Sequence, residues 1–169
     1  WRGVGRGVAW AMAEEGARWG VVDIDGDSAS ETAELIRSAG GEAFAGQGDV
    51  AKRDDCARGI QGSVEAFGGL DILVNNAAWT PTPGLRLMEF DDETFGRVLE
   101  THLWATLFCM QIAPPQFMSR GRRAIINFAN GSGTSRNAAH AAYAGAPHGI
   151  LAVPRSPARE HGLDRVLVT

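Results

Sequence analysis

The sequence predicts an α/β protein built on a doubly wound parallel sheet, and three observations carry that expectation. Helical and strand patterns alternate with short turns between them, as they do where helices cover a parallel sheet. Glycines cluster ahead of the first helical pattern, at Gly3, Gly5 and Gly7. The segment Asp71-Ile72-Leu73-Val74 is short and apolar after its first residue, as a central parallel strand should be.

The elements follow in order. After the glycine turn, Val8 to Glu15 is a predicted helix stopped by Gly16. Arg18 to Val22 reads as a buried strand and runs into Asp23-Ile24-Asp25. Ser28 to Ser38 is the next helix, capped by Asp27 or Ser28 and closed by Gly40-Gly41. Glu42 to Ala45 is a short strand, followed by Gly46-Gln47-Gly48-Asp49-Val50. In the third helix Cys56, Ile60, Val64 and Phe67 recur at helical spacing and share one face, and Gly68-Gly69 ends it. The apolar strand from Asp71 then enters Asn75-Asn76-Ala77-Ala78. A loop with Pro81 and Pro83 precedes a long helix from about Asp92 to Met118. Ala124 to Ala129 is another strand, Ala138 to Glu160 is mostly helical in composition, and Arg165 to Val168 is a final strand.

At 169 residues there is material for one domain, residues 1–169, without internal repeats or linkers. Hydrophobic residues make up 44% and charged residues 21%, ordinary for a globular protein, and no apolar run approaches the roughly 20 residues that span a bilayer. A net charge of -4 with scattered Lys and Arg offers no phosphate-tracking stripe and argues against a nucleic-acid partner. The two cysteines, Cys56 and Cys109, make no disulfide framework and have no metal-like spacing, nor do the histidines. With no signal-like opening, the expected location is cytoplasmic, without a membrane partner. The chain starts at Trp1 inside a glycine turn and stops at Thr169 inside a strand, which reads as a piece of something longer.

The chemistry begins at Gly3-Val4-Gly5. Glycines ahead of a helix let backbone N–H groups approach a pyrophosphate, and the helix N-terminus favours negative charge. Asp23 closes the next strand at about the ~20-residue offset at which an acid reaches the adenosine ribose hydroxyls. A turn-forming Asp beside Asp25 and Asp27 is the plainer reading of the same residue. Together the two features favour a dinucleotide site.

Four motifs in sequence order resemble the short-chain dehydrogenase/reductase family. The end of its Thr-Gly-x-x-x-Gly-x-Gly turn is matched by Gly3-Val4-Gly5, and its strand-end acid by Asp23. Its adenine-contacting Asp-Val is matched by Asp49-Val50, and its Asn-Asn-Ala-Gly by Asn75-Asn76-Ala77-Ala78. Tyr143 stands where the Tyr-x-x-x-Lys motif begins. The resemblance implies an incomplete Rossmann-type sheet of strand order 3-2-1-4-5-6, with the first strand and the C-terminal region missing. The absent strand belongs mid-sheet, so two central edges are left unpaired and marginal stability is expected. Arg165 to Thr169 is read as strand six, the alternative being that it fills the gap.

The resemblance also implies hydride transfer between nicotinamide and a small alcohol or carbonyl substrate, in a protein that is homo-oligomeric at full length. Tyr143 would be the proton donor or acceptor, its phenol helped by a neighbouring cation, because an unperturbed pKa near 10 is too high for work near neutrality. The family's lysine position, however, holds Pro147, and its serine position aligns with Asn130, leaving Ser132 as the nearest hydroxyl. The family's relay asparagine aligns with His102, which lies on an apolar face with Phe95, Val98, Leu99 and Leu103 and reads as a core residue. Inside a helix Pro147 would cost about 3 kcal/mol, and Pro154 and Pro157 follow in the same segment. The leading expectation is therefore an oxidoreductase with impaired catalysis, the alternative an inactive nucleotide-binding or dimerising subunit. Asp23 favours NAD by repelling a 2′-phosphate, whereas Arg2 matches a basic position of NADP-preferring members; NAD is the expected cofactor, NADP the lesser one.

Overall fold

The computed structural model describes residues 3–80, 87–117, 123–128 and 166–168. The first helix, α1, spans Val4–Glu14, with Gly3 as its N-cap. It therefore begins earlier than the sequence suggests, and Val4 and Gly5 form its first turn instead of a preceding loop. The cause is tertiary. Arg6 donates to Thr32 Oγ1 at 3.1 Å and to Glu31 Oε2 at 2.6 Å, and Ala9 is buried, so the first turn is anchored despite the helix penalty of its glycines.

Strand β1 (Trp19–Asp23) pairs in parallel with β2 (Ala43–Gln47), from Trp19 opposite Ala43 to Asp23 opposite Gln47. Helix α2 (Gly26–Ser38) connects them and buries Ala29, Thr32, Ala33 and Ile36. Its N-cap is Asp25, not Asp27 or Ser28: the Asp25 carboxylate accepts from Asp27 N–H at 3.1 Å and from Ser28 N–H at 3.3 Å. Extending the helix back to Gly26 moves both expected caps inside it. At the other end Gly40, with φ +87°, lets the Gly41 N–H return to the Ile36 carbonyl, as expected for a glycine-closed helix.

Helix α3 (Arg53–Phe67) lies against the opposite face of this pair and approaches it very closely. A Cβ on Gly20 would overlap the Ser63 hydroxyl, a Cβ on Gly59 would lie 2.9 Å from Val22, and one on Gly62 2.6 Å from Phe44. Small residues at these positions let the helix backbone settle onto the strands. Its apolar face is the one the spacing marks: Cys56 and Ile60 are buried and Val64 packs beside them.

Strands β3 (Ile72–Asn75), β4 (Arg123–Asn127) and β5 (Val166–Val168) form a second parallel sheet in the order β3-β4-β5. The pairing of Ile125 with Val168 puts the final strand outside β4, in the place of strand six and not in the mid-sheet gap. The long helix expected after the proline loop is divided. Helix α4 (Asp92–Leu99) passes into a π-helical turn at Glu100–Trp104 and then into α5 (Ala105–Ile112). It ends before Pro114-Pro115, which form a 3-10 turn with Gln116, well short of Met118. The main core lies between α3, α5 and the second sheet, formed by Cys56, Ile60, Leu73, Cys109, Met110, Ala113, Phe117 and Ile125. The helix expected over Ala138 to Glu160 lies outside the described residues.

Two strands are less buried than their composition suggests. Every residue of β1 is only half-buried, and Ile72 of β3 is 37% exposed. The reason is a cleft of about 880 Å³ lined by both strands: among the described residues β1 pairs with β2 alone and β3 with β4 alone.

Candidate functional site

Parallel strands place their C-terminal ends on one side, and in doubly wound folds that side carries the ligand crevice. Asp23, Asp49 and Asn75 all stand at or just beyond such ends and line the 880 Å³ cleft, together with Gly5, Val50, Asn76 and Ala77. Of the cofactor-contact residues that the sequence suggests, the cleft thus gathers all but two. Gly3 borders a smaller hollow with Trp10 and Leu35, and the Val4 side chain is 61% exposed.

Helix α1 offers its first amides without a competing cap. Its N-cap residue, Gly3, supplies no side-chain hydrogen bond, and no acid sits in its first turn. Such a terminus is a ready anion site. On the neighbouring strand end, Asp23 Oδ1 accepts the Asp25 N–H at 2.9 Å, and the Asp23 carbonyl accepts the Gly48 N–H at 2.9 Å. The carboxylate is thereby held by the turn, the plainer of the two roles that the sequence offers for this residue. A terminus with exposed amides beside an oriented carboxylate suits a pyrophosphate and an adjacent ribose diol, and the residues present fit a dinucleotide on that ground.

Asp49 is held just as firmly. Its N–H donates to Asp55 Oδ2 at 2.9 Å and its Oδ1 accepts the Ala51 N–H at 3.0 Å. The bond from the Asp49 amide is the main cause that holds the Asp55 carboxyl below the usual carboxylate range, with Arg58 at 2.6 Å adding to it. Asn75 Nδ2 donates to Asn127 Oδ1 at 2.8 Å, in strand register, and so ties the ends of β3 and β4 together. Asn127 is absent from the residues singled out in the sequence; its signal is its place beside Asn75 at the end of the next strand.

Beyond Asn75 the segment is secured by α4 and the π turn. The Arg97 guanidinium lies 4.5 Å from the Trp79 ring centre. The Trp79 N–H lies 3.2 Å from His102 Nε2, and the Trp79 carbonyl lies 2.9 Å from the same nitrogen. His102 is buried, as the sequence suggests, and burial holds its imidazole below the usual range against the opposing effect of the Trp79 backbone. Glu100 and Thr101 of the π turn line the cleft, whereas His102 points to the backbone of the preceding loop. Tyr143, Ser132, Asn130 and Pro147 lie outside the described residues, as do Arg2 and Pro81 to Gly84. Among the described residues no cluster of His, Cys, Asp or Glu could hold a metal, and no helix is long and apolar enough to cross a membrane.

Known proteins share this architecture. The family model described as enoyl-(acyl carrier protein) reductase matches residues 1–168. The chain belongs to the short-chain dehydrogenase/reductase family. Within the family it is 34% identical over 160 residues to the 3-oxoacyl-[acyl-carrier-protein] reductase FabG of Staphylococcus epidermidis. It is 32% identical over 167 residues to the 2,5-dichloro-2,5-cyclohexadiene-1,4-diol dehydrogenase of Sphingobium indicum. These alignments take in 94% and 98% of this chain, and the chain spans 65% of each relative. A solved structure described as a short-chain alcohol dehydrogenase from Sinorhizobium meliloti superposes with a TM-score of 0.88 at 30% identity, over 98% of this chain and 65% of that one. All three of these relatives are named as reductases or dehydrogenases.

Proposed function

We propose that this protein is an NAD-dependent oxidoreductase acting on a small alcohol or carbonyl compound. The observation that carries the reading is the cleft running along β1 and β3, which Gly5, Asp23, Asp49, Val50 and Asn75–Ala77 all line. In this assignment the amides at Gly3, Val4 and Gly5 receive the pyrophosphate and Asp23 binds the adenosine ribose diol. Asp49 and Val50 border the adenine, while Asn75, Asn76 and Ala77 line the path toward the nicotinamide. The bound nicotinamide supplies or accepts the hydride. Tyr143 exchanges the proton with the substrate oxygen, and Ser132 is the hydroxyl assigned to polarise it.

Pro147 can neither carry charge nor donate a hydrogen bond, so nothing at that position lowers the Tyr143 pKa. The expected turnover is accordingly low. The Asp23 carboxylate also disfavours a 2′-phosphate, which supports NAD over NADP.

Titration of NADH and NADPH, followed by tryptophan fluorescence, tests the binding half. NADH is expected to saturate, to bind more tightly than NADPH, and to weaken about 10- to 100-fold in Asp23→Ala, the loss of one or two charge-assisted hydrogen bonds. A folded protein that binds neither dinucleotide would refute the assignment. For the catalytic half, the double variant Pro147→Lys/Asn130→Ser is expected to raise turnover of alcohol or carbonyl substrates. No gain in a folded, NADH-binding double variant would remove the roles given to those two positions.

A further inference from the structure

The cleft runs between two strand edges, and the ladder bonds show which residues form them. The Trp19 N–H bonds to the Glu42 carbonyl, and the Asp23 carbonyl accepts the Gly48 N–H. Trp19, Val21 and Asp23 therefore direct their backbone groups to β2, and the pleat turns those of Gly20 and Val22 the other way, to the cleft. On the opposite side the Asp71 and Asn75 carbonyls accept from Ala124 and Phe128, so Ile72 and Val74 are turned to the cleft in the same manner. Helix α3 returns the chain from the end of β2 to the start of β3, so both edges run in one direction. Among the described residues no strand meets either of them.

The space between has the size and lining of a strand. A strand residue takes up about 3.3 Å along the chain, 4.8 Å across the sheet and ~10 Å through it. On that scale the cleft of about 880 Å³ holds five or six residues, roughly the length of β1. Ala9 and Met12 of α1 line one face, and Ile60 of α3 with Ala105 and Cys109 of α5 line the other. Both faces are apolar, whereas the two lateral edges are backbone N–H and C=O groups. An apolar small molecule would suit the faces and leave the edge groups unbonded once water is displaced, which is costly. An extended peptide with apolar side chains on both faces satisfies faces and edges together.

We propose that the cleft seats one further β-strand, an apolar peptide segment that lies parallel between β1 and β3 and pairs with Gly20, Val22, Ile72 and Val74. Its polarity follows from the ladder: its first residue lies near Trp19 and Ile72, and its last near Asp23 and Asn75. A charged residue inside the segment would meet apolar side chains on either face and is excluded. With the strand in place, β1–β2 and β3–β4–β5 become one continuous parallel sheet. The strand also closes the floor beneath Gly5, Asp23 and Asn75. Its effect on the cofactor rests on the reading of that rim as a dinucleotide site; the seating of the strand does not.

The test adds a synthetic peptide, Lys-Lys-Val-Ala-Leu-Ile-Val, to the full chain, the lysines keeping it in solution. A second peptide, N-methylated at its alanine and isoleucine, keeps every side chain but loses the N–H donors to one edge. The first is expected to bind one to one and to slow amide exchange at Gly20, Val22, Ile72 and Val74 at least tenfold. The second should bind at least tenfold more weakly, the loss of two edge hydrogen bonds. Equal binding of the two peptides would mean an apolar ligand site and sink the strand seat. Binding without slower exchange at the four residues would place the peptide elsewhere. The same five apolar residues fused ahead of Trp1 provide a second test, because α1 runs back along β1 and begins at the rim where the strand would end. A higher Tm than the unfused chain is expected; an unchanged Tm, with no peptide binding by the folded chain, would overturn the proposal. NADH affinity should rise about fivefold or more with the first peptide bound. Peptide binding that leaves NADH affinity unchanged would remove the link to the cofactor alone, and a chain that binds peptide but never NADH would refute the dinucleotide reading while the strand seat stands.

Discussion

His102 shows how a single side chain in this family can be structural where a catalytic relay is expected. Its Nε2 faces the Trp79 peptide, and the Thr106 hydroxyl, from the first turn of α5, donates to the His102 carbonyl at 2.8 Å. Burial lowers its pKa below the ordinary 6.5, and the contact with Trp79 only partly opposes this. The folded protein therefore keeps the ring neutral at pH values where the unfolded chain protonates it. Stability is greatest above about pH 6.5 and declines as pH falls toward the lowered folded value, with a slope of at most about 1.4 kcal/mol per pH unit for one proton. The carboxylates of Asp25, Asp55 and Asp91 are also held low, but what they contribute is complete above 3.8 and is lost only at lower pH. Urea unfolding from pH 7.5 to 5 is expected to show the decline in the wild type and a flatter profile in His102→Asn. Parallel profiles would mean that His102 does not titrate between the two states. The core placement of this residue was legible from its apolar helix face; its grip on Trp79 was not, because a loop partner leaves no periodic trace.

At the scale of elements, the legible features were those with local causes. The face of α3 that carries Cys56, Ile60 and Val64 follows from spacing alone, and the closure of α2 follows from Gly40-Gly41. Other features depended on distant neighbours. The early start of α1 needs Arg6 bound to Glu31 and Thr32, and the half-buried state of β1 needs the cleft beside it. The close seat of α3 was also hidden, since Gly20, Gly59 and Gly62 look like weak points in a strand and a helix until they are seen in contact. A methyl group at Gly20 would strike the Ser63 side chain, lying 2.9 Å from its Cβ. Gly20→Ala is therefore expected to destabilise the protein by about 1–3 kcal/mol, the usual cost of overpacking. Adding Ser63→Gly removes the struck atoms and should recover much of the loss, less the helix penalty of the new glycine. Urea midpoints of the two variants would decide it: an unaffected Gly20→Ala, or a double variant no better than the single, would mean that α3 shifts freely on the sheet.

At the scale of the whole molecule, the decisive feature is that the described strands fall into two sheets. The β1–β2 pair and the β3–β4–β5 sheet face each other across the cleft, and the residues assigned to the dinucleotide come from both sides: Asp23 and Asp49 from the first, Asn75 to Ala77 from the second. Between the halves, the visible cement is the packing of α3 on α5 and a few long-range bonds such as that from Arg53 to Gln111 at 2.7 Å. Among the described residues two strand edges line the open cleft, and edges of that kind favour association with other chains. A ligand that touches both halves binds the folded state alone and should stabilise it by about 2.7 kcal/mol at a hundredfold excess over its Kd. For a chain of this length that corresponds to a rise in Tm of roughly 5–10 °C. Thermal unfolding with NADH at that excess should show the rise, with less light scattering on heating. The shift should shrink in Asp23→Ala at the same NADH concentration, because weaker binding means less linkage energy. An unchanged Tm at saturating NADH would mean that the dinucleotide does not select the folded state. An equal shift in Asp23→Ala would instead place the stabilising contacts away from the end of β1, and the two halves would then be held by something other than the bound ligand.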